Sequence, residues 1–144
     1  MKKKQINGMK LEFDAISSNE AFARQTMCAF AAGLDPTIDE ISDLRVIISE
    51  AVTNCVVHAY KNAPGKVEIT AKTYEDRSMR IKIKDRGCGI EDIDKCMQPL
   101  YTTDPSGERG GMGFAIMQAM SEKFRVVSAP GAGTALYIEI KFGK

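Results

Sequence analysis

The amino-acid sequence predicts an α+β fold, a two-layer α/β sandwich in which helices pack on one face of a mixed, mostly antiparallel sheet. Apolar residues recur at helical spacing in the first half of the chain, and two pairs of strand-like segments joined by short turns follow. Helices combined with strands that are mostly linked as hairpins favour one helical layer on one sheet. The 144 residues fit a single domain spanning 1–144, long enough to bury a hydrophobic core.

The first elements are predicted to be a strand and a helix. Residues 9–13 alternate apolar and polar side chains, which is typical of a strand. Ser18 is a suitable N-cap for a helix that extends to about Leu34. The apolar residues of this helix that lie near helical spacing, and are therefore expected in the core, are Phe22, Met27, Phe30, Ala31 and Leu34.

A second helix has a strong start signal. Residues 37–40, Thr-Ile-Asp-Glu, form a capping box directly after Pro36. Apolar residues then recur every three or four positions from Ile41 to Cys55, so this helix is predicted to extend to about Tyr60. The remaining elements are predicted, in chain order, as strands at 66–74 and 79–85, a short helix at 91–97, a helix from 113 to about 122, and strands at 124–129 and 134–141.

One long segment without apolar periodicity interrupts this pattern. Residues 98–112 contain two prolines and three glycines. A loop of that length inside a compact domain is usually functional, and it is often a lid over a ligand. We therefore expect this segment to be the mobile element of a binding site.

Composition and charge exclude several classes of protein. The net charge is +1 and no basic face dominates, which argues against nucleic acid as the main partner. No window approaches the roughly 18 apolar residues that span a bilayer, and no apolar segment of a signal peptide follows the basic residues at 2–4. The four cysteines form no CxxC pair, so zinc is not expected. Cys28 and Cys55 are expected to be small core residues in a reducing cytosol.

The second helix carries a candidate catalytic pair. Glu50 and Asn54 stand four residues apart and share one helix face. A carboxylate there can act as a general base, and the amide oxygen can hold Mg²⁺, which prefers hard oxygen ligands. The alternative is a solvated polar pair, although Asn is a poor choice inside a helix. His58, one turn after Asn54, is expected to pack or cap rather than to catalyse.

Asp85 is a candidate binding residue at the end of a predicted strand. From Met79 to Asp85 the odd positions are apolar apart from Asp85 itself, so its carboxylate is predicted to point into the core. A buried carboxylate needs a donor. That donor is either a backbone N–H of the following turn or a ligand amine such as that of adenine. Gly87 and Gly89 would allow the chain to approach a flat base closely.

A glycine cluster at 110–113, Gly-Gly-Met-Gly, precedes the helix predicted from 113. The free N–H groups and the dipole of a helix start favour an anion, while a flexible hinge is the interpretation that the motif alone favours. Arg109 can pair with a terminal phosphate or be an ordinary surface residue. Thr134 can reach a ligand or simply begin its strand.

Taken together, these motifs resemble a known superfamily. Glu-x-x-x-Asn at 50–54, Asp-x-Gly-x-Gly at 85–89 and Gly-x-Gly at 111–113 are similar to the N, G1 and G2 boxes of the GHKL ATPases and kinases. The resemblance covers about residues 9 to 140 and implies the GHKL (Bergerat) ATP-binding fold. Longer segments resemble the anti-sigma-F factors of spore-forming bacteria, namely Ser-Glu-Ala-Val-Thr-Asn (49–54), His-Ala-Tyr (58–60), Gln-Pro-Leu-Tyr-Thr-Thr (98–103) and Gly-Met-Gly-Phe (111–114).

The resemblance implies roles for individual residues. Glu50 would be the general base toward a serine of a partner protein, Asn54 would ligate Mg²⁺, and Asp85 would accept from the adenine amine. The complete set of candidate residues for binding ATP or ADP is Asn54, Asp85, Gly87, Gly89, Thr102, Thr103, Arg109, Gly111, Gly113 and Thr134.

The resemblance also implies partners. It describes a cytoplasmic, ATP-dependent serine-protein kinase that holds a sporulation sigma factor (sigma F) inactive and phosphorylates the anti-anti-sigma factor. Arg24 on the first helix is the expected partner contact. A homodimer is implied, with the exposed side of the 9–13 strand and the first helix as the candidate interface. Two alternatives stay open: a stress-response anti-sigma kinase of the same family, and a non-catalytic binding module gated by nucleotide.

Overall fold

The computed structural model describes residues 3–97 and 113–143. In chain order the elements are β1 (Gln5–Asp14), α1 (Asn19–Ala31), α2 (Ile38–Thr53), β2 (Lys66–Tyr74), β3 (Ser78–Asp85), α3 (Ile93–Cys96), α4 (Gly113–Met120), β4 (Lys123–Ser128) and β5 (Thr134–Lys141). A 3₁₀ turn, Ala32–Leu34, follows α1, and a π-helix, Asn54–Ala59, follows α2.

The five strands form one sheet in the order β1-β2-β3-β5-β4. All four pairings between the described strands, β1–β2, β2–β3, β3–β5 and β4–β5, are antiparallel. Short turns join β2 to β3 and β4 to β5, as in hairpins. The α+β class and the antiparallel character are therefore confirmed, and the described strands contain no parallel pair. The register places Asp85 between Val67 of β2 and Thr134 of β5.

The helices cover one face of the sheet, which makes the two layers that the sequence predicts. Ile69 and Ile81, on the inner face of the sheet, are 0% and 2% exposed, and Leu44 and Ile48 of α2 are 0% exposed. Met117 of α4 is also fully buried. All five belong to one apolar cluster. Complete burial of such side chains stabilises the fold by about 1.5–3 kcal/mol each.

The start of α2 is anchored by its predicted capping box. Glu40 N donates to Thr37 Oγ1 at 3.1 Å, and Thr37 N donates to Glu40 Oε1 at 2.8 Å. The other carboxylate oxygen of Glu40 accepts from Gly143 N at 2.8 Å. These backbone donors, that of Thr37 first, lower the pKa of Glu40. The beginning of the helix that carries the candidate catalytic pair is thus tied to the end of the sheet.

Two expectations for α1 are wrong. Ser18 occupies the N-cap position, but its backbone is already helical (φ −65°, ψ −22°) and its side chain makes no capping hydrogen bond. Phe22 is 49% exposed and packs edge-to-face on Phe13, with ring centroids 6.3 Å apart. The inner stripe of α1 begins one residue later and contains Ala23, Met27 and Ala31, all 0% exposed.

Candidate nucleotide-binding site

The junction between α2 and the π-helix carries the predicted catalytic pair. The helix does continue to Ala59, but its hydrogen-bonding pattern changes at Asn54. Tyr60 N donates to Cys55 O, five residues earlier, at 3.0 Å. The helical segment therefore ends close to the predicted Tyr60, although it is π-helical after Thr53. Short π-helical segments inside helices occur frequently at functional sites.

Glu50 and Asn54 share one face of this helix, and α4 begins against both of them. Both side chains are half-buried. A Cβ added to Gly113 would lie 2.9 Å from Glu50 Oε2 and 3.6 Å from Asn54 Oδ1 and Nδ2. A side chain at position 113 would push the carboxylate of Glu50 aside. The alternative of an ordinary solvated pair does not explain why a second helix begins so close to both residues.

Asp85 points into the fold, as its position in the strand predicts. It is 5% exposed. Gly87 N donates to Asp85 Oδ1 at 2.9 Å, and the Thr134 N–H and the Cys55 thiol also donate to the carboxylate. The backbone donor that the sequence left open is therefore present. An ionised carboxylate has about four acceptor positions, so three donors leave room for one more.

Burial and hydrogen bonding act in opposite directions on Asp85. Desolvation raises the pKa of Asp85 above its usual range, and the donors from Gly87, Cys55 and Thr134 lower it by less. Cys55 is 2% exposed, and burial, followed by the negative charge of Asp85, raises its pKa well above the usual range. The thiol of Cys55 thus stays protonated and links the π-helix to the end of β3.

The loop after β3 is held against the π-helix. Cys88 N donates to Ala59 O at 2.9 Å, and a Cβ on Gly87 would collide with the same carbonyl group. The close approach of the two backbones explains why residue 87 is a glycine. The contact of Gly87 and Gly89 with a base remains a prediction. His58, half-buried, accepts through its backbone oxygen from Cys88 Sγ at 3.4 Å.

Ser128 is a site residue that the sequence analysis missed. It ends β4, and its Oγ accepts from Ile90 N at 3.0 Å and donates to Gly133 O at 2.8 Å. It also lies 2.8 Å from Thr134 Oγ1. One hydroxyl thus joins the loop after β3 to the turn between β4 and β5. A serine at the end of a strand is too common a feature to have been singled out in advance.

Tyr60 is a second residue that was missed as part of the site. Its hydroxyl donates to Lys66 O at 2.6 Å and accepts from Arg86 N at 2.7 Å. The side chain therefore connects the end of the π-helix to the start of β2 and to the loop after β3. Tyr60 and Ser128 thus hold this loop at two points, Arg86 and Ile90.

Gly133 and Gly131 allow a matched test of how tightly the hairpin turn is packed against Asp85. Both residues have positive φ, +77° and +76°. A Cβ on Gly133 would collide with Asp85 O and lie 2.9 Å from Arg86 Cα, whereas a Cβ on Gly131 would meet nothing within 4 Å. We expect Gly131→Ala to cost about 1 kcal/mol from backbone strain alone. Gly133→Ala should cost roughly 2–4 kcal/mol, because overpacking adds to the strain.

Urea unfolding followed by circular dichroism measures both variants. Equal losses of unfolding free energy in the two proteins would contradict the packing of the turn against β3.

Some of the other predicted site residues lie in the described part of the chain and some lie outside it. Thr134 is 9% exposed and stands opposite Asp85 in the register, so it both begins β5 and lies at the site. Arg24 lies on α1, where its Nη1 contacts Glu20 at 3.1 Å and Ser49 Oγ at 3.4 Å. The residues of the set that lie outside the described part of the chain are Thr102, Thr103, Arg109 and Gly111.

The described residues contain neither a cluster of metal-binding side chains nor a membrane-spanning helix. Across 3–97 and 113–143, no group of three or more His, Cys, Asp or Glu side chains is arranged to hold a metal ion. None of the helices in these ranges has the length and hydropathy of a membrane span.

The comparison with protein families identifies the class of domain. The family model described as "Histidine kinase-like ATPase domain" matches residues 16–140. Solved structures agree at the level of the fold. The RsbU and RsbW domains of Rv1364c from Mycobacterium tuberculosis match 95% of this chain with a TM-score of 0.68 at 21% identity. Full-length ShkA in complex with AMPPNP also matches 95%, with a TM-score of 0.57 at 22% identity. The chain spans about a third of each of these structures, 33% and 32%.

Curated relatives narrow the class to one family. The anti-sigma F factor of Shouchella clausii is 48% identical over 134 residues, 92% of this chain and 91% of the relative. That of Clostridium acetobutylicum is 48% identical over 136 residues, 94% of each. That of Thermoanaerobacter sp. strain X514 is 50% identical over 128 residues, 89% of each. The chain therefore belongs to the anti-sigma F factors of the histidine kinase-like ATPase family.

The geometry of the site fits the nucleotide that such a domain binds. Asp85 has a buried carboxylate with acceptor capacity to spare. Gly113 has no side chain that would crowd Glu50 and Asn54. Magnesium bound with a nucleotide usually takes only one or two protein ligands, since phosphates and water supply the others. The absence of a larger ligand cluster among the described residues is therefore compatible with Asn54 as its protein ligand.

Proposed function

We propose that this protein is an ATP-dependent protein-serine kinase that also binds and inhibits a sporulation sigma factor, sigma F, and that its phosphorylation substrate is the anti-anti-sigma factor. The observation that carries the kinase half is the contact of Gly113 with both Glu50 and Asn54. It brings a candidate base, a candidate metal ligand and a glycine helix start together. The family of the chain supports the anti-sigma half.

Asp85 would bind the adenine base of the nucleotide. Its remaining acceptor position suits the exocyclic amine of adenine, and the donors from Gly87, Cys55 and Thr134 hold the carboxylate in place. We propose that Gly87 and Gly89 line the base. Among the residues outside the described ranges, Gly111 would contact phosphates together with Gly113, Arg109 would pair with the terminal phosphate, and Thr102 and Thr103 would belong to the lid.

The chemical step is an in-line phosphoryl transfer. Glu50 would accept the proton of the serine hydroxyl as the bond from serine Oγ to the γ-phosphorus forms. The bond between that phosphorus and the bridging oxygen breaks, and ADP leaves. Asn54 would hold magnesium, which neutralises negative charge on the phosphates when it is bound.

Incubation with ATP labelled on the γ-phosphate tests the kinase proposal. The purified protein is mixed with the anti-anti-sigma factor, and covalent label on that partner is scored, with a serine-to-alanine version of the partner as the control. We expect label on the serine-bearing partner alone. Tight nucleotide binding without any label would favour the alternative of a non-catalytic module gated by nucleotide.

The identity of the sigma factor needs a separate experiment. A stress-response anti-sigma kinase of the same family would have similar boxes. Capture of partners from sporulating and from heat-stressed cells, identified by mass spectrometry, distinguishes the two. We expect the capture to retain the sporulation sigma factor. We also propose that the protein acts in the cytoplasm.

We also propose that the protein, as a single domain, forms a homodimer. β1 is an edge strand of the sheet, so one side of its backbone has no neighbouring strand among the described residues. Exposed apolar side chains lie on and beside it, with Ile6 at 53%, Ile16 at 52% and Phe22 at 49%. Light scattering after size exclusion measures the oligomeric state, and a monomer at micromolar concentration would contradict the proposal.

The raised pKa of Asp85 predicts how nucleotide choice depends on pH. The ionised carboxylate accepts from the adenine amine, so ATP affinity is present above the pKa of Asp85 and is lost as pH falls through it. Because burial raises that pKa, the loss should begin above the usual carboxylate range. Protonated Asp85 can instead donate to the carbonyl of the hypoxanthine base in ITP. Because ATP and ITP carry the same triphosphate, protonation of the phosphates cancels in the ratio of their affinities.

Titration calorimetry with ATP and ITP, from neutral pH downward, measures the ratio of the two affinities. We expect this ratio to fall in the native protein and to stay constant in Asp85→Asn. A constant ratio in the native protein would contradict direct readout of the base by Asp85.

A further inference from the structure

A groove between α1 and α2 is lined at one point by Glu50. Its volume is about 480 Å³. The residues that line it are Arg24 and Gln25 of α1 and Arg45, Val46, Ser49 and Glu50 of α2. The groove is open and polar, with two arginines along its length.

Glu50 borders two spaces. One of its carboxylate oxygens lies beside Gly113, together with Asn54, on the proposed phosphate side. The same side chain lines the groove between the helices. A general base must lie within hydrogen-bond reach of the hydroxyl that attacks the phosphate, and the nucleotide would occupy the side of Glu50 beside Gly113. The hydroxyl of a protein substrate would therefore reach Glu50 through this groove.

The two arginines of the groove differ in what they already contact. Arg24 pairs with Glu20 at 3.1 Å, one helical turn earlier, and also contacts Ser49. Arg45 is exposed, and no acidic residue stands three or four positions before or after it in α2. Within the described residues Arg45 takes part in none of the ion pairs. The unneutralised positive charge of the groove thus lies on Arg45.

We propose that Arg45 is a specificity-determining residue that pairs with a carboxylate of the protein substrate, close to the serine that is phosphorylated. The pair places the serine hydroxyl at Glu50. A planar guanidinium suits this role because it binds a carboxylate through two parallel hydrogen bonds. This inference rests on the proposed kinase function and adds the chemistry by which the substrate is selected, an acidic side chain beside the acceptor serine.

The test is steady-state kinetics with the purified anti-anti-sigma factor as the probe. For Arg45→Gln we expect KM for this substrate to rise about three- to tenfold, with kcat and the KM for ATP unchanged, because an exposed pair contributes to binding and not to the chemical step. KM for this substrate should rise less in Arg45→Lys than in Arg45→Gln, and it should rise more in Arg45→Glu. The salt dependence of kcat/KM should become weaker in Arg45→Gln.

Arg125→Gln is the matched control. This arginine is exposed on β4, the edge strand opposite β1, where it stacks on Tyr137 at 4.3 Å, and it does not line the groove. It removes the same charge from the protein and should leave KM unchanged. An equal rise of KM in both variants would mean that overall charge, and not the groove, determines the effect.

A set of substrate variants identifies the acidic partner. Each Asp or Glu near the target serine is changed to its amide, and KM is measured with the native kinase and with Arg45→Gln. The change that removes the acidic partner should raise KM for the native kinase but not for Arg45→Gln. An unchanged KM in Arg45→Gln, or a fall in kcat without a change in KM, would overturn the proposal for Arg45 alone. A native protein that transfers no phosphate to the substrate would overturn the proposed function, and the inference with it.

Discussion

Glu50→Gln is expected to reduce phosphoryl transfer to the partner serine by about 10²–10⁴-fold, the usual contribution of a general base. The amide has nearly the shape of the carboxylate but cannot accept the serine proton. Affinity for ATP should stay within about threefold of the native value, since the proton acceptor belongs to the chemical step and not to nucleotide binding. Single-turnover transfer of labelled phosphate measures the first quantity, and titration calorimetry measures the second.

Asp43→Asn is the control for this experiment. Asp43 is exposed on the same helix, and the change removes the same charge without touching the groove or Gly113. Its transfer rate should match that of the native protein. A Glu50→Gln protein that retained its transfer rate would show that another group accepts the proton.

Asp85→Asn is expected to weaken ATP binding by roughly 10- to 100-fold, the value of a hydrogen bond to a charged group. The amide of Asn can still accept from Gly87 N, so the loop after β3 should keep its conformation. Asn has one acceptor oxygen for the three donors that Gly87, Cys55 and Thr134 direct at the carboxylate, so at least one buried donor loses its acceptor, which costs about 1–3 kcal/mol. We expect a modest loss of thermal stability with an unchanged circular dichroism spectrum, and weak ATP binding by the folded variant separates a binding defect from a folding defect.

The base that the variant prefers gives a sharper result than affinity alone. The amide NH₂ of Asn can donate to the carbonyl of ITP, so the preference of the native protein for ATP over ITP should disappear. Asp94→Asn, an exposed carboxylate on α3, is the matched control and should retain the native preference. A variant of Asp85 that still preferred ATP to the native extent would contradict the role of this residue.

Local features of the chain were predictable because they depend on neighbouring residues. The strands at 66–74 and 134–141 have the predicted bounds, and the capping box at Thr37 forms as expected. The inward direction of Asp85 follows from the alternation of its strand, and the shared face of Glu50 and Asn54 follows from helical spacing. These parts of the site need no knowledge of the tertiary structure.

The remaining features depend on contacts between segments that are distant in sequence. The π-helix begins where the thiol of Cys55 reaches Asp85, thirty positions later in the numbering, and no apolar pattern signals that change. The bonds from Ser128 to Ile90 and from Tyr60 to Arg86 join separate elements, so their side chains looked ordinary in the sequence. The exposure of Phe22 was missed because a shift of one residue around a helix turns a side chain by about 100°.

The contact between Gly113 and the pair on α2 could not be derived from the sequence either. A glycine before a helix predicts a hinge as readily as an anion site, and only the position of α4 against Glu50 and Asn54 favours the second interpretation. The groove lined by Arg24 and Arg45 is likewise a product of packing between α1 and α2.

Mapping the phosphate after a single turnover tests most directly whether Glu50, Asn54 and Gly113 form one kinase centre. The protein is mixed with ATP, magnesium and the anti-anti-sigma factor, the reaction is stopped, and both proteins are examined by tandem mass spectrometry. We expect one phosphoserine on the partner, formed by the native protein and by Asp43→Asn but not by Glu50→Gln. Unmodified partner in the native reaction, with ATP bound and the complex formed, would contradict a catalytic role for this site.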